Sequence, residues 1–318
     1  MQRLTLLILL AASAAGCRST HWLRRGGSEP PPVAFSALPS PQEAVVAVNA
    51  NTQRVQSLQT LGASISIPGA PSIGAEIQVE RPGRLRFRAG TQLLGPELDL
   101  GANDELFWLW AARMPDSAVY FARHDQFASS RARQMLSIEP AWLIEALGLA
   151  EIDPASVIEG PHADGKDRVK LRTTLASSGM PYTRLLILHS KYAWVLEQHV
   201  YDEREQLIAS ARSSGHEFYG LDGVSLPKRI EVQMPMAQMR FQLDVSRWGI
   251  NQPLADGATL FELPRQALSN YPFVDLADPN FVPPGGSVPV QQSAPARQAQ
   301  VPPEMYQQRL RGFSSPWR

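Results

Sequence analysis

The sequence predicts an α+β fold, a large antiparallel sheet of about ten or eleven strands with two or three helices over one face. Short runs with apolar residues at period two, separated by Gly, Pro, Asn and Asp turns, recur between residues 62 and 246. A helical spacing precedes them at 41–61, and a second one, at 138–149, interrupts them. Strands joined by tight turns in chain order form an antiparallel meander, because a parallel return needs a long crossover.

The first helix is expected from Pro41 to Leu61, with Val45, Val48, Val55, Leu58 and Leu61 on one stripe and Pro41 in the first turn. The strand LGASISIPG follows. In PGRLRFRAG, Leu85, Phe87 and Ala89 alternate with Arg84, Arg86 and Arg88, so one face is dry and the arginines form a basic stripe on a wet one. PELDLGA, ELFWLWAA and AVYFARH continue the meander. IEPAWLIEALGL then places Ile138, Trp142, Leu143, Ala146 and Leu147 at helical spacings, with Gly148 near the end. Further strands are expected near 167–175, 182–190, 193–202, 205–215, 228–235 and 238–246.

Both ends of the chain read differently. Met1-Gln2-Arg3, an apolar run from Leu4 to Ala15 and the small residues before Cys17 have the three-part plan of an export signal, too short to span a bilayer. Cys17 is the only cysteine of 318 residues and stands where a lipobox requires it, so residues 1–16 are expected to be removed and Cys17 to carry a covalent lipid. A lone cysteine forms no intramolecular disulfide. Residues 17–41 are a Pro/Gly-rich tether, 42–275 the folded domain, and 276–318 a Pro-rich disordered tail with a short EMYQQRLRGF segment. Loss of Arg3 with the signal leaves a mature chain of about one negative charge, with nothing that calls for nucleic acid.

Strong catalytic signatures are lacking in the sequence: there is no Gly-x-Ser-x-Gly or His-Glu-x-x-His, and the six histidines have no metal-ligand spacing. No cofactor or metal is expected. ELFWLWAA is apolar on both faces, and Met234, Met236 and Met239 cluster around one hairpin. Trp108, Trp110, Leu143, Leu147, Met234 and Met236 are therefore the candidate lining of a ligand cavity between sheet and helix.

With this order of elements, the chain resembles the bacterial family of lipoprotein carriers and receptors, the LolA/LolB-like proteins. The residues that carry the resemblance are the helix before LGASISIPG, the PGRLRFRAG and ELFWLWAA strands, and the run LPKRIEVQM to MRFQLDVSRWGINQPLADGATLFELP. It implies an unclosed β-barrel with a helical lid in mid-sequence over an apolar cavity for acyl chains, and a non-enzymatic role in moving lipoproteins or lipids across the periplasm. The lipid on Cys17 makes the chain look like the anchored receptor, tethered on the periplasmic side of a membrane and exchanging with a periplasmic carrier. Arg18 in place of Asp points to the outer membrane under the enterobacterial sorting rule. The receptor's protruding apolar loop has no clear counterpart in the sequence, and the long tail departs from the family. The alternatives are a structural or assembly lipoprotein with a packed core whose tail docks to a partner, and a hydrolase built from residues without a known motif.

Overall fold

Ser40 starts the first helix. Its hydroxyl accepts from the Glu43 amide at 3.3 Å while the Glu43 carboxylate accepts from the Ser40 amide at 2.7 Å, so two otherwise orphaned donors are satisfied ahead of Pro41. The computed structural model describes residues 30–282, apart from 94, 115, 135, 137, 178, 179 and 256. The export signal, Cys17 and most of the tail lie outside the described residues. Helix α1 (Pro41–Gln53) ends eight residues before the expected Leu61. Val55 and Leu58 are buried as the spacing implies, but Leu58 is so within a strand. Residues 57–60 pair on both sides, with a late strand and with an early one, and two ladders outweigh the continuation of a helix.

The first meander runs through β1 (Ser57–Thr60), β2 (Ala63–Ser66), β3 (Ile73–Glu80), β4 (Arg84–Thr91), β5 (Gly95–Ala102), β6 (Leu106–Ala111) and β7 (Val119–Arg123). A second follows the central insertion, through β8 (Val157–Ala163), β9 (Arg168–Ser177), β10 (Met180–His189), β11 (Val195–Tyr201) and β12 (Leu207–Ser214). A small separate hairpin, β13 (Glu217–Tyr219) and β14 (Val224–Leu226), precedes β15 (Arg229–Met234), β16 (Met239–Val245), β17 (Trp248–Ile250) and β18 (Phe273–Asp275).

The strand order is β18-β7-β6-β5-β4-β3-β2-β16-β15-β12-β11-β10-β9-β8, so the two meanders are joined where β2 pairs with β16. The sheet is unclosed, since β18 and β8 stand at opposite ends of that order. All its pairings are antiparallel except β18 on β7. This is the curved sheet with helices on one face that the sequence predicts, with a leading helix, an unclosed sheet and a mid-sequence insertion in the expected order.

Two helical pieces cover the concave face. Helix α1 sits over β9 and β10, where Val45 and Val48 pack with Leu171, Leu186 and Leu188. The insertion, residues 124–149, covers the rest as a chain of short turns, His124–Phe127, Arg131–Gln134, Trp142–Ile144 and Glu145–Leu149. The expected amphipathic helix over 138–149 is thus one helical turn and one wide turn, ended by Gly148 at φ +99°.

The outer face differs from expectation. Arg84 and Arg88 are partly exposed and paired with Glu80, Asp104 and Glu76, as on a solvated stripe, but Arg86 is only 6% exposed. The chain after β17 returns across this face as a strap. Arg86 donates to the carbonyls of Leu260 and Glu262 at 3.2 and 3.1 Å and pairs with Asp99 at 2.5 Å. A charge can be buried there because a carboxylate and two carbonyls replace its water.

The packed chain also reaches past the expected boundaries. The Ala34 and Phe35 amides donate to the Lys191 carbonyl at 2.8 and 3.1 Å with Phe35 buried, so the end of the tether is docked. Beyond residue 275, Leu276 and Phe281 are buried in the main core, Phe281 against Tyr120.

Candidate functional site

The site expected for a ligand is the concave face beneath the insertion. Leu85, Phe87 and Ala89 of β4 and Phe107 of β6 form its floor on the first meander, and Val232, Met234 and Phe241 continue it on β15 and β16. From above, Ile138, Trp142, Leu143, Ile144 and Leu147 enter the same apolar cluster. The interior is closed, with these side chains packed together.

Polar contacts hold the insertion down. Tyr182 and Arg184 alternate with Leu185 on β10, which points both inward. The Arg133 guanidinium donates to the Tyr182 hydroxyl at 2.5 Å, and Arg184 pairs with Glu145 in a short ion pair. Arg184 is 1% exposed, and its remaining nitrogens donate to the Glu151 carbonyl at 2.9 Å and the Thr173 hydroxyl at 3.2 Å. Burial pushes the Glu145 carboxyl above its usual range, and the Arg184 charge opposes that shift. His124 braces the insertion from within, with Nδ1 2.7 Å from a Glu139 oxygen and Nε2 2.9 Å from the Asn103 carbonyl. Acceptors at both ring nitrogens suit the imidazolium, and the hydrogen bond that His124 donates to Glu139 foremost raises its pKa.

At the margin of the insertion a cleft of about 300 Å³ opens between Arg81, Ile138, Trp142, Leu149 and Leu175. Its lining mixes apolar side chains with Arg81 and three carboxylates, each of them paired, Glu139 with His124, Glu145 with Arg184 and Glu151 with Arg81. The indole N–H of Trp142 is buried with no hydrogen-bond partner among the described residues.

Of the six candidate lining residues, the structure brings Leu143, Leu147 and Met234 together in this interior. Trp108 and Trp110 face the other way. On β6 it is Phe107 and Leu109 that join the interior cluster, whereas Trp110 packs with Val119, Leu268 and Tyr271 beneath the strap. Trp108 donates its indole N–H to Asp99 at 2.9 Å, lies under the Arg86 guanidinium and fills the space left by Gly101, where a Cβ would stand 2.1 Å from the ring. With both faces of β6 apolar, strand periodicity cannot say which is interior. Met236 lies outside as well, 54% exposed in the turn between β15 and β16.

That turn belongs to an apolar rim which the sequence reading missed. Gly74 lies opposite Gly90, and Gln242 opposite Ser66, so the β2–β3, β4–β5 and β15–β16 turns stand side by side at one end of the sheet. They present Ile67, Leu93 and Met236, of which Leu93 is 92% exposed. Residues 67–72, 92–94 and 235–238 contain no charged side chain, whereas the flanking turns carry Arg113 and Asp116 on one side and Asp202, Glu203, Arg204 and Glu205 on the other. The signal was present as three uncharged turns, but their adjacency depends on the pairing of β2 with β16.

No protein-family model and no curated protein matches the sequence. Among solved structures, an outer membrane lipoprotein-sorting protein domain from Vibrio parahaemolyticus is similar, with a TM-score of 0.47 and 11% identity over 72% of this chain and 99% of that one. A DUF1329 family protein from Desulfovibrio piger aligns with a TM-score of 0.45 and 16% identity over 71% of this chain and 98% of its own. A LolA superfamily protein from Nitrosomonas europaea gives 0.43 and 12%, over 71% and 98%.

Proposed function

We propose that this chain is a lipid-anchored, non-enzymatic protein that binds acyl chains and takes part in lipoprotein or lipid trafficking on the periplasmic side of a membrane. The observation that carries the reading is the apolar concave face closed by a separate insertion held on β10 by Arg184–Glu145 and Arg133–Tyr182. Each CH₂ kept out of water is worth about 0.8 kcal/mol, so a chain entering this interior could offset the loss of a few polar contacts. Leu143, Leu147 and Met234 are the residues assigned to that role. Entry requires the insertion to swing away, because the closed interior is packed. It works by binding, with no covalent step.

Cys17 is the proposed lipid attachment point, and Arg18 after it supports the outer membrane. From Cys17 to Pro30 the tether can span about 45 Å, longer than any strand of the sheet. The uncharged rim suits a bilayer surface or the apolar surface of a periplasmic carrier. Pro68, Pro71 and Pro235 bring no N–H to it, and the Ala70 and Gln238 amides are satisfied within their own turns at 3.0 Å each. Leu93→Asp is expected to weaken partition of the chain onto phosphatidylethanolamine/phosphatidylglycerol vesicles about tenfold, as measured by co-sedimentation, without changing thermal stability by more than about 0.5 kcal/mol.

The deciding experiment titrates the full chain with a dansyl-labelled long-chain fatty acid and extracts co-purified lipid for mass spectrometry. Saturable binding that is displaced by unlabelled fatty acid and lost in Leu147→Asp supports the reading. Exclusion of the fatty acid and a lipid-free extract would instead favour a packed assembly lipoprotein, a second reading for which the tight burial of Trp142, Leu143 and Leu147 speaks.

A further inference from the structure

We infer that the outer face of β8 to β11 carries a binding site for a polyhydroxylated, glycan-type ligand, separate from the lid-covered interior. A pit of about 280 Å³ lies there, just below the roughly 300–1,000 Å³ of small-molecule sites. Leu185 and Tyr201 are its apolar and aromatic lining.

The pit is built by an irregularity in β8. Glu159 and His162 are three positions apart, and in a regular strand they would point to opposite faces. Between them the register with β9 shifts: Glu159 stands opposite Arg172 and His162 opposite Lys170. Gly160, at φ +91°, makes the shift possible, since a Cβ there would meet the Lys170 carbonyl at 2.7 Å. Both side chains consequently reach the outer face, where His162 Nε2 lies 3.5 Å from a Glu159 oxygen. Bulges re-aim side chains in this way.

The chemistry around the rim alternates. Glu159 and Glu205 offer acceptors, while Lys170, Arg172 and His162 offer donors. Arg172 reaches Glu205 at 3.2 Å, but the Lys170 ammonium and the Tyr201 hydroxyl have no partner among the described residues. Two carboxylates against one lysine and one arginine leave the pit close to neutral when His162 is neutral. A bare oxyanion would face Glu159 and Glu205, and an acyl chain would strand six polar groups. A sugar hydroxyl donates and accepts at once, which matches carboxylates set beside cationic donors, and the C–H face of a pyranose can lie on Tyr201 and Leu185.

The test uses the full chain in a sugar-free detergent, with cellobiose, diacetylchitobiose and inorganic phosphate as probes, read by saturation-transfer NMR and calorimetry. Saturable binding of at least one disaccharide is expected at about millimolar affinity, weakened about tenfold or more by Tyr201→Ala and by Glu159→Gln, and unchanged by Leu147→Ala. Glu159 is exposed, so Glu159→Gln keeps the test valid if Tyr201→Ala fails to fold. The inference is overturned if neither disaccharide binds up to about 10 mM, or if binding survives both substitutions. It is equally overturned if phosphate alone binds and Lys170→Met abolishes that binding, which would make the pit an anion site.

Discussion

Glu145→Ala is expected to cost about 3–5 kcal/mol of stability, the range for leaving one member of a buried ion pair without its partner. The reverse truncation, Arg184→Met, should cost clearly less. The asymmetry follows from exposure: the Arg184 side chain is 2% exposed and the Glu145 side chain 23%. Without Glu145 the guanidinium stays in the interior with only a carbonyl and a hydroxyl to satisfy it. Without Arg184 the carboxylate can rotate toward the cleft at the margin of the insertion and regain water. Urea unfolding of the two variants and of the double variant Glu145→Leu/Arg184→Met measures this directly, and the double variant should be near neutral. The same proteins separate latch from scaffold. If the pair holds the insertion over an acyl-binding interior, Arg184→Met takes up the fatty-acid probe faster than the unaltered chain. Equal uptake rates would mean that the insertion does not gate entry.

The second large effect lies on the opposite face. Trp108→Ala should destabilise by about 3–5 kcal/mol, since it removes a fully buried indole, leaves a cavity beneath Arg86 and takes a donor from Asp99. Yet the molecules that remain folded should bind the fatty-acid probe with unchanged affinity, because Trp108 belongs to the strap side of β6. Phe107→Ala should show the contrast, weakening probe binding as well as stability. If Trp108→Ala abolished probe binding while the fold survived by circular dichroism, the interior would not be the acyl site.

Much of the architecture was legible before any coordinates. The β4 alternation of Leu85, Phe87 and Ala89 marks a dry face, and all three are buried. Ser40, Pro41 and Glu43 place the start of α1, because capping uses only neighbouring residues. The late strands lie close to their expected positions, since each turn between them is written locally in Gly, Pro and Asp. Six strands, β1, β8, β13, β14, β17 and β18, were not foreseen. Three-residue strands show too little periodicity, and the register of β8 is broken at Gly160.

By itself, then, the sequence determined what each stretch prefers: its period, its turns, its helix start, and the existence of an insertion between two meanders. The tertiary structure decided which surfaces became interior. Arg86, Trp108 and Trp110 are buried because the strap from residue 257 to residue 275 crosses their face, and the apolar rim exists because β2 pairs with β16 across more than 170 residues of chain. Burial depends on what a distant segment lays over a face, and no local pattern carries that information.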